Sequence, residues 1–260
     1  MRVLFVGDVV GRSGRDAAAR LIGPLRNEFG ADFVIANAEN AAGGMGLTPT
    51  VADELFRRTS VDVMTLGNHA WTKRDIYPYL QAQSKVLRPA NYPPGAPGLG
   101  AGVYETTAGV IGVLVLQGRV YMDAIDDPFR SADTELEVLK KATNTVIVEI
   151  HAEATSEKQA MARHLSGRVS AVVGTHTHVQ TADEAILPEG TAYITDVGMT
   201  GPTNSIIGMK TETVLSRFLT GLPSRFEVAE GPAQLSAVLL DIEEASGMAQ
   251  KIQRIQRAVG

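Results

Sequence analysis

Val169-Ser170-Ala171-Val172-Val173-Gly174-Thr175-His176-Thr177-His178 joins an apolar, β-branched run to a polar turn, and that junction decides how the rest of the chain reads. A short unbroken apolar run of this kind suits a strand buried on both faces. Where such a strand ends, alternate side chains point to one side, so His176 and His178 can approach a single site. The junction recurs along the chain. Val3–Val6 leads to Asp8, Phe33–Ala36 to Asn37-Ala38-Glu39-Asn40, Val61–Leu66 to Gly67-Asn68-His69, and Thr145–Ile150 to His151-Ala152-Glu153. In α/β sheets ligands bind beyond the carboxyl ends of the strands. The five clusters are therefore expected to converge on one side of one sheet.

Further apolar runs lie at Val110–Leu116, Ala192–Ile194 and Ser236–Ile242, and helical patterns fill many of the gaps. Arg15–Phe29 places Ala18, Leu21, Ile22 and Leu25 on one face, with Pro24 threatening a kink. Thr48-Pro49 supplies an N-cap and a first-turn proline for a helix over Thr50–Arg58. Ser131–Ala142 and Ser156–Leu165 read as further helices. Strand-helix alternation at this spacing predicts an α/β layered fold, a single domain over residues 1–260. Two regions depart from the alternation. Arg88–Gly102, with Pro89, Pro93, Pro94 and Pro97, reads as a surface loop. Thr200–Gly231, with Gly201-Pro202, Gly208, Gly221 and Pro223 around one short apolar stretch, reads as a long excursion or a contact surface. Ser236–Ile242, a turn near Ser246-Gly247 and Ala249–Ile255 fit a terminal hairpin, with a closing helix as the competitor.

Composition narrows the chemistry. The 24 basic and 29 acidic residues give a net charge of -5, which offers no broad basic surface to nucleic acid or membrane. Cysteine is absent, which excludes disulfides, thiolate zinc sites and a cysteine nucleophile together. No apolar run approaches the roughly 20 positions of a membrane span. The opening Met1–Gly7 run is too short for a signal peptide, and the expected location is the cytoplasm. The Pro/Gly-rich segments are compatible with a homo-oligomer.

Of five histidines, four (His69, His151, His176 and His178) fall inside the clusters, and His164 lies in a predicted helix. Four imidazoles at strand ends, beside carboxylates and amides, point to a metal site rather than to isolated polar residues. Each cluster also has a plainer reading. Asp8 could cap the helix that follows, Glu39 and Asn40 could brace the Gly43–Gly46 loop, and Asn68 could serve the turn after Gly67. Gly7-Asp8-Val9-Val10-Gly11-Arg12-Ser13-Gly14 looks like a loose phosphate loop, without the glycine spacing of a dinucleotide site or the lysine of a nucleoside-triphosphate loop.

In this order, Asp8, the acidic second cluster, Gly67-Asn68-His69, His151 and Gly174-Thr175-His176-Thr177-His178 resemble the calcineurin-like metallophosphoesterase superfamily over roughly residues 1–200. Two departures stand out: Val10 occupies the place of that superfamily's histidine, and Asn37-Ala38-Glu39-Asn40 replaces its usual aspartate motif. Both departures resemble one bacterial branch, the 2',3'-cyclic-nucleotide 2'-phosphodiesterase family. So do Phe-Val-Gly-Asp-Val-Val-Gly at 5–11, Gly-Asn-His-Ala-Trp at 67–71, His-Ala-Glu-Ala-Thr-Ser-Glu-Lys at 151–158 and Gly-Met-Thr-Gly-Pro at 198–202.

The resemblance implies a four-layer α/β/β/α sandwich with mixed sheets and two divalent transition-metal ions, Fe or Mn before Zn or Mg. It also implies hydrolysis of a small cyclic nucleotide or another phosphodiester, with no stable nucleic-acid partner. On this reading Asp8, Glu39, Asn40 and His178 hold one ion, while Glu39, Asn68, His151 and His176 hold the other. Glu39 bridges, and a water acidified between the ions attacks phosphorus in line. His69, left without a metal, is the candidate general acid, with an orienting hydrogen bond as its alternative role. Arg12, Thr177 and Glu153 are weaker candidates for substrate or supporting contacts. A metallopeptidase or amidohydrolase, which also uses His and carboxylate sites, would lack this motif order. A nucleotide sensor or scaffold that keeps the metals with little turnover is the non-catalytic alternative.

Overall fold

The computed structural model describes residues 1–259. The first half runs β1 (Arg2–Val6), β2 (Asp8–Val9), α1 (Gly11–Phe29), β3 (Phe33–Asn37), α2 (Pro49–Arg58), β4 (Val63–Thr65), α3 (Ile76–Ala82), β5 (Val86–Leu87), β6 (Ala101–Thr106) and β7 (Gly109–Gln117). The second runs α4 (Pro128–Leu139), β8 (Thr145–His151), α5 (Thr155–Leu165), β9 (Ala171–Thr175), β10 (Ala185–Ile186), β11 (Ala192–Ile194), β12 (Met199–Pro202), α6 (Thr211–Thr220), β13 (Ala233–Ile242) and β14 (Ala249–Ala258). One sheet has the order β2-β12-β13-β1-β3-β4-β5, with β14 also on β13, and the other has the order β10-β11-β9-β8-β7-β6. β1, β3, β4 and β5 are parallel, as are β7, β8, β9 and β11; β13, β6 and β10 pair antiparallel with their neighbours.

Strand pleating sorts the side chains into layers. In β1, Val3 and Phe5 face the second sheet, while Leu4 and Val6 join Ala18, Ile22 and Leu25 of α1 and Leu55 of α2. In β8, Ile147 joins the inter-sheet core, while Val146, Val148 and Ile150 pack with Leu136 of α4 and Met161 and Leu165 of α5. Three apolar layers between four layers of secondary structure make an α/β/β/α sandwich. The middle layer is apolar only up to the carboxyl ends of the parallel strands. There, Asn37, Gln117, Glu149, His151 and Thr175 continue the inward register of Ile35, Val115, Ile147 and Val173, and all five are fully buried.

That change of character corrects one expectation. The five polar clusters do not share one sheet: Asp8, Asn37–Asn40 and Asn68 follow strands of the first, and His151, His176 and His178 follow strands of the second. They meet because the sheets stack with their parallel strands ending on the same side. Other differences are local. α1 starts at Gly11, before the predicted Arg15, and continues through Pro24. α2 starts at Pro49, with Thr48 Oγ1 accepting from the Val51 N–H as expected of its N-cap. Asp127-Pro128 starts α4 three residues before the predicted Ser131, the Asp127 carboxylate accepting from the Phe129 and Arg130 N–H groups. The Pro-rich 88–102 segment ends in β6 and is stapled by Arg88, whose guanidinium donates to the carbonyls of Pro89, Ala90, Ala96 and Gly98. The terminal hairpin forms as β13 and β14, and the 200–231 excursion contains most of β12 and all of α6. No described helix is long and apolar enough to cross a membrane.

The inter-sheet layer holds the two halves of the site in register, so Phe5→Ala, at a fully buried position of that layer, should cost about 3–5 kcal/mol in urea denaturation. A loss below about 1 kcal/mol would show that the layer is not the core described.

Candidate metal centre

The polar seam begins with Glu39, which follows β3 on a turn closed by its own N–H donating to Asn37 Oδ1 (3.0 Å). Its Oε1 lies 3.1 Å from His151 Nε2, and its Oε2 accepts from the His69 N–H (3.1 Å). His151 Nε2 is also 2.9 Å from Asn68 Oδ1 and 3.1 Å from His176 Nδ1. One donor atom from each of Glu39, His151 and His176 lies within 4.8 Å of the others. Beside this group stands Asp8 in β2, whose Oδ2 accepts weakly from the His176 N–H (3.4 Å). Asp8 Oδ1 is buried without a hydrogen-bond partner, His178 Nε2 being 3.9 Å away. Asn40 donates through Nδ2 to Gly44 O (2.9 Å), leaving its Oδ1 buried and equally without a partner. All seven residues singled out in the sequence are thus brought to one seam, and Asp8 does not cap α1, whose N-cap is Val10.

Hydrogen bonds behind the rings settle which nitrogen carries the proton. Thr175 Oγ1 donates to Glu149 Oε1 (2.7 Å), so it can only accept from His151 Nδ1 (2.9 Å). His178 Nδ1 lies 2.9 Å from Ile207 O, a carbonyl that can only accept. Both rings therefore hold their Nδ1 proton away from the seam and present Nε2 to it. Glu149, gripped also by Asn37 Nδ2 (2.6 Å), is pushed up to about 7 by burial, against the charge of His151 and its hydrogen bonds.

Burial alone would disfavour charge at Glu39 and His151, but each overcomes it through the other. Desolvation raises Glu39, and the charge and hydrogen bond of His151, with help from His69, lower it to about 2. Desolvation lowers His151, and Glu39 foremost, with Asp8 and Glu149, raises it to about 9. His176, half-buried beside that cation, is pushed down to about 3 by desolvation and by the charge of His151. Asp8 is raised by burial, against the pull of His178 and His151.

The turn carrying His176 and His178 is not a continued strand. β9 ends at Thr175, and the two histidines take left-handed backbone angles, φ 96° and 66°, so their aim comes from the turn rather than from pleat alternation. Such angles cost a non-glycine residue of order 1–3 kcal/mol and persist where the surroundings impose them. The constraint comes from Asp196 Oδ2, which accepts from the Thr177 N–H (3.0 Å), Thr177 Oγ1 (2.7 Å) and Lys158 Nζ (2.8 Å), while its Oδ1 accepts from the Gly198 N–H (2.7 Å). Lys158 and Asp196 form a buried ion pair. Sequence reasoning passed over both. Lys158 closes the 151–158 motif, and its place on α5 one turn beyond Ala154 was the available signal. The motif glycine at 67 is needed for close approach: a Cβ there would lie 2.2–2.4 Å from the His151 ring.

A cavity of about 730 Å³ opens over the seam, lined by Glu39, Asn40, His69, Glu153, His176 and His178 on one side and by the 206–226 excursion on the other. Glu153 Oε2 is 3.1 Å from His176 Nε2, and Thr177 reaches the cavity wall. Arg12 does not: it is exposed and pairs with Asp16 at 3.8 Å. Val10, in the place of a histidine, is fully buried, and a Cβ on Gly208 or Gly201 would lie within 2.7–3.1 Å of its side chain. It acts as the apolar bed of the excursion.

Two mixed sheets stacked between helices, with carboxylate, amide and imidazole groups gathered at the shared strand ends, define the metallophosphoesterase fold. Residues 4–255 match the YmdB-like protein family, and the chain belongs to that family. It is 48% identical over 255 residues, 98% of its length and 96% of the relative's, to the Bacillus subtilis 2',3'-cyclic-nucleotide 2'-phosphodiesterase. Two solved structures superpose closely. One is a Thermus thermophilus protein (TM-score 0.93, 47% identity, 99% of each chain). The other is a Mycoplasma pneumoniae phosphatase (TM-score 0.93, 33% identity, 99% of this chain and 93% of that one).

Removing one member of a buried ion pair strands the other. Lys158→Met should therefore lower stability by about 3–5 kcal/mol in chemical denaturation, and a loss below roughly 1 kcal/mol would remove the pair from its supporting role.

Proposed function

We propose that the chain, as one metallophosphoesterase domain, hydrolyses 2',3'-cyclic nucleotides and generic phosphodiesters with two divalent transition-metal ions, Fe or Mn. The observation carrying this reading is a pair of buried oxygens, Asp8 Oδ1 and Asn40 Oδ1, that have no partner beside the Glu39, His151 and His176 group. Each such atom buried without a hydrogen bond costs on the order of 1–3 kcal/mol, and a cation removes that cost. The donors suit the group: carboxylate, amide and neutral imidazole without thiolate match Mn, Fe or Zn rather than Ca. Asp8, Glu39, Asn40 and His178 would hold one ion, and Glu39, Asn68, His151 and His176 the other. When bound, such ions acidify a water and neutralise charge on the phosphate.

The chain's own residues do the rest. Thr175 and Ile207 O keep the Nδ1 protons of His151 and His178 turned away, so both Nε2 lone pairs serve the seam. The His69 N–H steadies Glu39, and its ring borders the cavity, where it can hand a proton to the departing ester oxygen as the P–O bond breaks. Glu153 holds His176 from the cavity side. The identity of the Bacillus subtilis relative supports the cyclic-nucleotide substrate.

Protein loaded with Mn(II) or Fe(II) should release phosphomonoester from 2',3'-cyclic AMP and from bis(p-nitrophenyl) phosphate, and EDTA should abolish both reactions. Absence of turnover in fully loaded protein would favour the nucleotide-sensor alternative. His69→Gln should lower kcat by about 10²–10⁴-fold at unchanged metal content; unchanged kcat would leave His69 only its backbone role.

Metal binding also has a proton linkage. Below about 9 the metal-free His151 carries a second proton on Nε2, held by Glu39. An ion must displace that proton, so affinity should rise with pH and level off above about 9. Calorimetric titration of Mn(II) in buffers of different ionisation enthalpy should show about one proton released from His151 per protein molecule at neutral pH; no release would contradict the assignment of His151.

A further inference from the structure

Ile207 is in the wrong place for an isoleucine. Ile206 and Met209 exchange both backbone hydrogen bonds (2.9 and 3.0 Å), and the two residues between them are left-handed, Ile207 at φ 46° and Gly208 at φ 96°. Turns with positive φ at both central positions favour Asn-Gly, and a β-branched residue there is strained. Burial does not offset the strain, because Ile207 is 49% exposed. Its side chain instead lines the cavity over the seam, one carbonyl away from the His178 it anchors. Observed strain at a cavity wall is grounds for seeking a ligand.

The rest of that wall has one chemical character. Phe226 borders the cavity with the Arg217 guanidinium 5.2 Å from its ring centroid, and Met45, Met209 and Phe218 complete the surface. Phe218 on α6 is 78% exposed. The cavity thus has an anion-handling floor of imidazole, carboxylate and amide groups, faced by flat and polarisable apolar groups with one cation. At about 730 Å³ it has room for a mononucleotide. Stacking on an aromatic face, apolar contact and an Arg plane are what a nucleobase needs, and such contacts tolerate any base because each has a π-face.

We infer that Ile207, Phe226 and Arg217 form the subsite for the nucleobase of the substrate, so that the excursion between β12 and β13 selects nucleotides over other phosphodiesters. This rests on the phosphodiesterase reading above. The subsite acts on substrate choice, and the floor acts on the phosphate. The apolar wall is a productive contact only when a planar ring is attached to the ester.

The test compares kcat/KM of the Mn-loaded protein for 2',3'-cyclic AMP and for methyl riboside 2',3'-cyclic phosphate, which lacks the base. The wild type should prefer the nucleotide by about tenfold or more, the usual worth of one stacked base. Phe226→Ala and Ile207→Asn should each cut that preference several-fold, losing much more on the nucleotide than on the base-free ester. Ile207→Asn suits the left-handed turn and keeps the carbonyl on His178, so its melting temperature should be equal or higher. Equal turnover of the two esters by the wild type, or equal losses on both in the two variants, would overturn the subsite while leaving the phosphodiesterase reading intact. Turnover of neither ester by the loaded wild type would sink the phosphodiesterase reading and the subsite with it.

Discussion

The structure depends on keeping charge buried at the seam between two sheets. A carboxylate or imidazolium withdrawn from water costs several kcal/mol unless it is paired, and here Asp8, Glu39, Asn40, Glu149 and His151 lie together out of solvent. Three of them are met by a residue from the opposite sheet: Asn37 of the first sheet reaches Glu149 of the second, and Glu39 meets His151, while Asp8 and Asn40 each keep one oxygen without a partner. The inter-sheet apolar layer positions these pairs, and the pairs give the layer a register it could not obtain from interchangeable Val and Ile side chains. Stability and site are therefore the same arrangement seen from two ends of one layer.

The supporting groups are arranged by depth. Glu149 and Thr175 lie beneath His151, Asp196 and Lys158 lie beneath the His176–His178 turn, and the Ile207 carbonyl braces His178 from the cavity side. Each fixes a ring by its Nδ1 proton or by its backbone, so the seam side of the ring stays available. The left-handed angles of His176, His178 and Ile207 all occur within this ring of supports. Strain of this sort is carried where the surroundings over-determine the backbone, and three of the four non-glycine residues with such angles among the described residues lie here, Tyr121 being the other.

Much of this is legible in the sequence. β1, β3, β4, β7, β8, β9 and β11 could be read from apolar runs because strands covered on both faces have little room for polar residues, and the five clusters that followed β1, β3, β4, β8 and β9 reached the seam. Thr48-Pro49 announced α2 through local cap chemistry. What was not legible depended on partners distant in sequence. That the clusters belong to two sheets cannot be seen in Phe33–Asn37 or Thr145–His151 separately, since pleating dictates which side chains face inward but not what they face. α3 and α6 were missed because each is short and buries few residues, Ile76 and Leu80 in one and Val214 in the other. Lys158 stood in the predicted Ser156–Leu165 helix with nothing nearby to mark it as buried, because its counter-charge, Asp196, lies 38 positions later. The His-x-His pair does reach the seam, but through a turn with left-handed backbone angles in place of strand alternation.

The central claim is that the unpartnered buried oxygens and the inward-turned Nε2 atoms are one cation-binding arrangement. Anomalous diffraction from crystals grown with Mn(II), collected on both sides of the manganese edge, tests it directly. The account predicts two manganese peaks, one beside Asp8, Asn40 and His178 and one beside Asn68, His151 and His176, with Glu39 touching both. A seam without manganese in crystals where the metal is present, or a peak that leaves Asp8 and Asn40 unligated, would contradict it.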